Sequence, residues 1–509
     1  MSESDDISRR AFVLGASAMA AMTAAPVAFT DSPPDDESVR LLRLSAGEAV
    51  ARMSRGEVAV ERYASALLAR CESLRALNAF ISFEPVRVLE AARTCDRQRR
   101  AGAKCGPLFG LPIPVKDSVN TRDYPTTGGT PALRGFRPRV DAPLVKTLRA
   151  GGAIVLGKTN LHELSWGWTS NNLAFGAVRN PYELKHIPGG SSGGTAAAIA
   201  SHMAPLGVGE DTEGSIRIPA AMCGISGFRP TTGRYSTQGC VPISPLFDQI
   251  GPLARTVSDL ALFDSVVAND WHPLQPISLK GVRLGIVHEY WFTGLDPEVE
   301  RLTALALQRL KDAGAELVET ELPGLQRLID LTTLPIQNHD VRISLARYLK
   351  QYGTGLTFDA VVKQASADIQ ESFRNDVSPG GPNFVSQTAY AAARDIHLPT
   401  LRRLYHDYFA RSRVAAMVFP VTLVPPPLIG EDVTVAIGER KAPFATAIAR
   451  NIAPGSTAGL PGLVLPAGLS TAGLPVAIEF DAPAAADRAL LALGLSLERA
   501  LGPIPPPNV

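Results

Sequence analysis

Short apolar runs rich in valine, isoleucine and leucine alternate with longer segments of helical spacing along most of this chain. The runs are LPIPV, AIVLG, VRLGIV, AAMVFPV, LVLPA and VAIEF, at 111–115, 153–157, 282–287, 415–421, 463–467 and 476–480. Helical spacing occurs at 141–151, 194–203, 295–313 and 484–501. Strands that are continuously apolar are buried on both faces, so helices must cover them. The pattern predicts an α/β fold with a largely buried sheet.

The first 30 residues have the form of a twin-arginine export signal. Arg9 and Arg10 precede an alanine-rich apolar stretch with small residues near Ala28, which is the pattern of such signals. A frayed helix with two chance arginines is the alternative. Residues 31–41 contain DSPPDDES and predict a flexible junction. We expect a periplasmic or secreted protein without stable membrane insertion, since no later run of about 18 strongly apolar residues occurs.

Charge and cysteine content exclude several function classes. The formal net charge is +1 over 509 residues, so nothing indicates a nucleic-acid partner. The cysteines show neither a CxxC pair nor metal-ligand spacing with histidine. We interpret them as buried thiols, although a disulfide between Cys95 and Cys105 stays open.

Two further patterns concern helices and the pocket. Ser45 and Glu48 have the spacing of a capping box and predict a helix that continues to about Leu77. A second helix is predicted at 86–101. The segment at about 330–450 is irregular and rich in aromatic residues and proline, so we expect it to shape a pocket. Plain helical packing is the alternative.

Two motif matches fail on their context. GAIVLGKT at 152–159 fits the P-loop expression, but its variable residues are an apolar strand where the phosphate-binding turn should be. GGSSG at 189–193 fits the nucleophile elbow. A buried strand must lead into that elbow, and the preceding RNPYELKHIP is polar and broken by proline.

Three other segments together suggest a serine nucleophile with a lysine base. Lys116 follows an apolar run, so we expect it to be partly buried, and burial favours the neutral form of a lysine. Ser215 follows a small turn in EDTEGSIRIP, and no nearby histidine lies in a motif. A serine needs a base, and either Ser191 or Ser192 could relay the proton to Lys116. Surface loops with an ordinary lysine are the alternative.

Several segments closely resemble those of the amidase signature family. They are KDSVNT, GKTNLHELSWG, RNPY, PGGSSGGTAAAIA, DTEGSIRIPAAMCGISGFRPTTGR, FDQIGPLARTVSDLAL and GLPGLVLPAGLSTAGLPVAIEF. The resemblance implies one α/β domain at 42–505 with its signature core at 107–262. Its sheet would be twisted and mixed, with helices on both sides, and no metal or organic cofactor would be used.

The resemblance also implies a Ser–cisSer–Lys triad. Lys116, neutral at rest, would be the base, Ser191 the bridging serine in a cis peptide and Ser215 the nucleophile, while Ser192 supports the loop. An oxyanion hole would be formed by the backbone amides of Thr212, Glu213, Gly214 and Ser215.

Glu213 departs from the family pattern, which usually has glycine there. If that position needs a positive φ, a side chain costs on the order of 1 kcal/mol. A carboxylate beside a developing oxyanion would oppose it, so we expect Glu213 to point away from the oxyanion or to line the leaving-group side. Asp211 and Arg217 flank the same turn, and we expect an ion pair that holds its shape, with direct substrate contact as the alternative.

Within the family, the chain most resembles mandelamide and indoleacetamide hydrolases. We therefore expect a small arylalkyl or aliphatic carboxamide as substrate, in a pocket with candidate walls Trp166, Trp168, Phe175 and Phe247. The same triad could act on carbamates as a urethanase, or on anilides, esters or peptide C-terminal amides. Two functions of a different class stay open, a glutaminase-type subunit of an amidotransferase and a non-catalytic binding protein. A homodimer stays open as well.

Overall fold

An eleven-stranded mixed β-sheet organises residues 36–509, the part of the chain that the computed structural model describes. The strands of this part are β1 Phe80–Phe83, β2 Pro112–Lys116, β3 Ile154–Thr159, β4 Asn171–Asn172, β5 Gly176–Ala177, β6 Leu206–Asp211, β7 Ser226–Arg229, β8 Gln249–Ala254, β9 Arg283–Ile286, β10 Glu316–Glu319, β11 Ala416–Pro420, β12 Thr434–Ile437, β13 Arg440–Pro443, β14 Gly462–Leu469 and β15 Pro475–Asp481. The large sheet has the order β1-β3-β2-β6-β8-β7-β14-β15-β11-β9-β10.

Helices flank this sheet and cover its apolar strands. They are α1 Asp36–Arg43, α2 Ala46–Arg55, α3 Val60–Ser73, α4 Pro85–Arg100, α5 Pro143–Ala150, α6 Gly193–Ala200, α7 Arg217–Met222, α8 Val257–Val267, α9 His288–Trp291, α10 Pro297–Asp312, α11 Leu325–Asp330, α12 Thr333–Gln351, α13 Phe358–Gln364, α14 Ala367–Ser372, α15 Gln387–Ala392, α16 Leu398–Ser412, α17 Phe444–Ala449, α18 Ala453–Ala458 and α19 Asp487–Leu501. The predicted α/β class, with a large mixed sheet between helices, is confirmed.

All six apolar runs of the sequence are strands of the large sheet. Other strands escaped the pattern, including the central pair β6 and β8, whose sequences are LGVGED and QIGPLA. Glycine, proline and polar residues interrupt the apolar character of both strands. The missed strands matter because β6 carries the residues that lead into the turn before Ser215.

The N-terminal helices differ from the predictions. The expected capping box is present at Ser45 and Glu48, but α2 ends at Gly56, whose φ of 76° is left-handed. The chain then begins α3, so the prediction of a single helix that continues to about Leu77 is wrong. Residues 36–41, predicted as flexible junction, belong to α1 and bury Leu41. The predicted export signal at 1–30 and the rest of the junction lie outside the described residues.

Narrower expectations can also be compared with the structure. GAIVLGKT contains strand β3, as the rejection of a P-loop requires. All five cysteines are free thiols, so Cys95 and Cys105 form no disulfide. Among the described helices, none combines the length and the apolar character that crossing a membrane requires.

The sheet topology brings two distant segments to one edge. Strand β2 pairs in parallel with both β3 and β6, and the partner of Val115 is Val208. The carboxyl ends of neighbouring parallel strands open on the same side of a sheet, where such folds place their ligands. Lys116 at the end of β2 therefore lies beside the end of β6.

Candidate active site

Lys116 is fully buried and makes three hydrogen bonds through its ammonium group. Its Nζ lies 2.7 Å from Ser191 Oγ, 3.1 Å from the carbonyl of Glu210 and 2.8 Å from Glu210 Oε2. The prediction of a buried lysine is right, but its surroundings are not simply apolar. A carboxylate faces the ammonium group, and such a partner favours the charged form of a lysine.

The loop that carries Ser191 is fixed between two elements. The Gly190–Ser191 peptide is cis, as the resemblance implies. Ser192 Oγ donates to the Glu210 carbonyl at 3.1 Å, and the Ser192 amide donates to the Ser215 carbonyl at 3.2 Å. Ser192 thus ties the loop both to β6 and to the next turn, in agreement with a supporting position.

Ser215 lies between the end of β6 and the start of α7. Gly214 precedes it with a φ of 98°, and a Cβ there would approach Ile218 Cδ1 to 2.7 Å. Glu213 itself does not have a positive φ. The turn therefore needs glycine only directly before Ser215, and the strain considered for Glu213 does not arise.

Within the described residues, no hydrogen bond joins the hydroxyls of Ser191 and Ser215. The two serines are held together through the backbone contact of Ser192, while the Ser215 side chain lines a cavity. The structure thus assembles Lys116 with Ser191 directly and brings Ser215 to the same loop.

A buried ion-pair cluster holds the turn from behind. Arg217 contacts Asp211 through Nε at 3.1 Å and Nη2 at 3.2 Å, and it reaches Glu479 at 2.5 Å. Arg229 Nε adds a contact to Asp211 at 3.3 Å. Burial opposes ionisation of Asp211, but Arg217 and Arg229 outweigh it and lower the pKa of Asp211 to about 2. The predicted pair of Asp211 and Arg217 is present, and neither residue lines the cavity.

Asp211 also takes up one amide of the predicted oxyanion hole. The Gly214 N–H donates to Asp211 Oδ1 at 2.8 Å, and the Ile216 N–H donates to Oδ2 at 3.0 Å. Among residues 36–509, the amides of Thr212, Glu213 and Ser215 carry no such bond. Three of the four expected donors therefore remain available in this structure, because the Gly214 N–H already donates to the Asp211 carboxylate.

Sequence reasoning missed the acidic group next to Lys116. Thr212 Oγ1 lies 2.9 Å from Glu210 Oε1 and 2.7 Å from Asp248 Oδ1. Burial, and then the charge of Glu210, raises the pKa of Asp248 to about 7. Glu210 is visible in GEDTEGS, but only the pairing of β6 with β2 aims it at Lys116.

A cavity of about 540 Å³ opens above Ser215. Its lining residues come from the loop after β3, the turn after β6, the loop before β8 and the segment from α11 to α15; they are Ser165, Trp166, Gly167, Trp168, Thr212, Glu213, Ser215, Ile243, Asp330, Leu334, Pro335, Gln337, Asn338, Ser372, Asp376, Asn383 and Val385. Part of the segment at 330–450 thus does form a pocket wall. Its remainder, beyond Val385, forms helices, strand β11 of the large sheet and the β12–β13 hairpin.

Two of the four aromatic residues considered for the pocket line this cavity. Trp166 donates through Nε1 to Ser372 Oγ at 2.8 Å, and Trp168 donates to the Glu213 carbonyl at 3.0 Å. The assignment of Phe175 is wrong, because its ring packs under the Arg134 guanidinium group at 4.4 Å. Phe247 is buried in a separate apolar cluster.

The Glu213 side chain forms part of the cavity wall. Its Oε2 accepts a hydrogen bond from Gln337 Nε2 at 2.6 Å, and the residue is 7% exposed. Burial raises the pKa of Glu213 to about 7, although the Gln337 bond favours the ionised form. Near neutral pH, Glu213 therefore exchanges between the acid and the carboxylate.

The geometry of a lysine, two serines and a cavity can now be set beside known proteins. The sequence profile of the Amidase family matches residues 62–491. The chain belongs to the Amidase family. Among curated Amidase relatives, an indoleacetamide hydrolase of Agrobacterium vitis is 36% identical over 90% of this chain and 97% of its own.

Two more family comparisons agree. A mandelamide hydrolase of Pseudomonas putida is 35% identical over 92% of this chain and 93% of its own length. A crystal structure of an amidase superimposes with a TM-score of 0.81 at 28% identity, covering 90% of this chain and all of the other. Membership in this family and these amide-hydrolysing relatives make the protein a hydrolase that acts on amides.

Proposed function

We propose that the protein hydrolyses a small carboxamide through an acyl-enzyme formed on Ser215. The observation that carries this proposal is the 2.7 Å contact between Lys116 Nζ and Ser191 Oγ beside a serine that lines the cavity. A serine nucleophile needs a base within hydrogen-bond reach, directly or through a relay. Ser191 would supply that relay, because its hydroxyl contacts the lysine and its loop contacts Ser215 through the neighbouring Ser192 amide.

In the acylation step, Ser215 Oγ attacks the amide carbonyl carbon. Its proton passes to Ser191 Oγ, and the Ser191 proton passes to Lys116 Nζ. The carbonyl oxygen becomes an oxyanion, which the amides of Thr212, Glu213 and Ser215 would stabilise. The proton returns by the same route to the leaving amine as the C–N bond breaks. Water then attacks the ester, releasing the carboxylic acid and regenerating Ser215.

The base in this step is the pair of Lys116 and Glu210 rather than the lysine alone. A lysine can accept a proton only as a neutral amine. Glu210 Oε2 lies 2.8 Å from Nζ, so it is placed to take a proton from the lysine during the reaction. When the proton lies on Glu210, Lys116 is neutral and accepts the proton of Ser191.

For the substrate, we propose an arylalkyl or aliphatic primary amide. Two indole rings at the mouth of a cavity of about 540 Å³ provide flat apolar walls for such an acyl group. The relatives named for indoleacetamide and mandelamide support the same class.

The test is a hydrolysis screen of the purified protein. Phenylacetamide and other primary amides are compared with anilides, carbamates, esters, peptide C-terminal amides and glutamine, with Ser215→Ala as control. Among the uncharged substrates of this screen, we expect the primary arylalkyl amides to have the highest kcat/KM. A preference for glutamine that depends on a partner subunit would instead indicate an amidotransferase component.

A fluorophosphonate probe tests the nucleophile independently of substrate choice. We expect it to label the wild-type protein at Ser215, as peptide mass spectrometry would show. Loss of labelling in Lys116→Ala, with a normal thermal melt, would support the proposed base. Labelling of any other serine would contradict the assignment.

We also propose export through the twin-arginine route, from the Arg9–Arg10 pair and the apolar stretch that follows. Cell fractionation of the full chain and of an Arg9→Lys/Arg10→Lys variant tests this proposal. Periplasmic activity that persists in the variant would contradict it.

A further inference from the structure

Glu213 places an ionisable group in the wall of the cavity, two residues before the proposed nucleophile. Gln337 occupies its Oε2, whereas Oε1 has no hydrogen-bond partner among the described residues. The residue is 7% exposed, and it lines the cavity. An ionised carboxylate in so largely buried a wall is stabilised by a positively charged partner.

The cavity supplies no such group from the protein. Asp330 and Asp376 line the same cavity, and none of the described lining residues is a lysine, arginine or histidine. Asp376 accepts bonds only from the uncharged groups of Ser372 and Asn383, at 2.9 and 2.8 Å. The cavity therefore combines three acidic side chains with two indole rings and no cation.

Carboxylates beside aromatic faces form the usual environment for an organic cation, because both attract positive charge. Building on the proposed amide hydrolysis, we propose that the preferred substrate is an amide that carries an ammonium group. Glu213 is the residue that selects it, by pairing with that ammonium group in the cavity.

This proposal also gives Glu213 a role in the rate. An ionised Glu213 next to the oxyanion amides opposes the negative charge that develops there when the substrate is neutral. An ammonium group on the substrate offsets that charge. Cationic amides should therefore react best with ionised Glu213, and neutral amides with protonated Glu213.

Other charged groups around Glu213 do not replace the ammonium group. Asp211, Arg217, Arg229 and Glu479 lie behind the turn, where they pair with one another as two cations and two carboxyl groups. Tyr290 has its pKa raised by burial, and then by Asp330 and Glu213, so it stays uncharged. Arg450 lies beyond the Tyr290 ring, at 5.8 Å from its centroid, and its guanidinium group bonds to Asn451 and Thr293.

The experiment compares two matched pairs of substrates with the full chain. In the first pair, 5-aminopentanamide carries an ammonium group at the end of the acyl chain where hexanamide carries a methyl group. In the second pair, N-(4-aminobutyl)phenylacetamide carries the ammonium group on the leaving amine, and N-pentylphenylacetamide carries a methyl group in its place. Alkylamines of this kind stay protonated to above about pH 9. Each kcat/KM is measured from pH 5.5 to 8.5.

Within a pair, the ratio of the two kcat/KM values cancels the titration of the shared base. For at least one pair, we expect this ratio to favour the cationic amide and to rise by about 10-fold as pH passes through the range in which Glu213 ionises. In Glu213→Gln, the ratio should become independent of pH and fall by a similar factor.

Glu498→Gln provides a matched control. Burial also raises the pKa of Glu498 to about 7, but its carboxyl accepts from the Val257 amide at 2.8 Å and lies outside the cavity lining. This variant should keep the wild-type ratio and its pH dependence. Loss of the pH dependence in Glu498→Gln would overturn the assignment to Glu213.

The two proposals fail in different ways. If Ser215→Ala hydrolyses both the neutral and the cationic amides as fast as the wild type does, the proposed function itself is wrong. If neutral amides are hydrolysed through Ser215 but both pairs have ratios near one at every pH, only the cationic preference is overturned.

Discussion

Two lysines lie at the ends of adjacent strands and are equally buried, yet their partners differ. Lys116 ends β2, Lys158 is in β3, and the β2–β3 ladder pairs Lys158 with Val115. Both side chains have no exposed surface. Lys158 bonds to Asp117 at 3.0 Å, Thr126 Oγ1 at 2.8 Å and the Pro125 carbonyl at 3.2 Å.

The difference lies in what the partners can do with a proton. Burial lowers the pKa of Lys158 and raises the pKa of Asp117, but their surroundings lead to no nucleophile. Lys116 instead contacts Ser191, whose loop touches Ser215. Both lysines are buried and both reach a hydroxyl, but only the hydroxyl that Lys116 reaches belongs to the loop that contacts Ser215.

Replacing Lys116 should have the largest effect. We expect Lys116→Met to lower kcat by about 10³- to 10⁴-fold, the range of an essential general base. Steady-state kinetics with phenylacetamide measures this loss. Because Glu210 would be left without its cation, the double variant Lys116→Met/Glu210→Gln serves as a control for folding. Activity above one-tenth of wild type in a folded variant would refute the proposed base.

Replacing Lys158 should affect stability instead. Lys158→Met leaves Asp117 as an uncompensated buried charge, which costs about 3–5 kcal/mol in free energy of unfolding. Chemical denaturation measures this cost, while kcat per folded molecule should change by less than about 3-fold. The double variant Asp117→Asn/Lys158→Met should recover most of the stability. A catalytic loss as large as that of Lys116→Met would remove the distinction between the two lysines.

Glu210→Gln tests the partner rather than the lysine. The amide keeps an acceptor near Nζ but removes the negative charge, so the pair loses its capacity to exchange a proton. We expect kcat to fall by about 100-fold while the thermal melt stays that of the wild type. A loss of activity that only follows a loss of folded protein in the melt would instead indicate a purely structural role of Glu210.

Glu213→Gln should have the smallest effect, and it concerns stability. The pKa of Glu213 is raised to about 7 from 4.5, so the native state holds more protons than the unfolded state in that range. Stability is therefore lost as pH rises from about 4.5 to 7. The variant lacks this loss and should gain about 1–2 kcal/mol over wild type between pH 5 and 8, partly reduced by water in the cavity. A constant difference across that range would contradict the burial argument.

The sequence predicted the lysine and the serines of the site, but not the acidic groups beside them. Spacing indicated Lys116, Ser215 and one of Ser191 or Ser192, and the family resemblance implied their separate roles; the structure joins Lys116 to Ser191 and ties their loop to Ser215. The acidic partners Glu210 and Asp248 were missed because they are 94 and 132 residues from Lys116 in the chain. No local pattern relates residues that only strand pairing makes neighbours.

The sequence by itself determined the α/β class, since alternating apolar runs must be buried between helices, and it determined the family through long motifs. Only the tertiary structure decided which charges meet. Side-chain pairing depends on the order and register of β2, β3 and β6, and these long-range contacts gave Lys116 a carboxylate, kept Phe175 out of the pocket and placed Glu213 against Gln337.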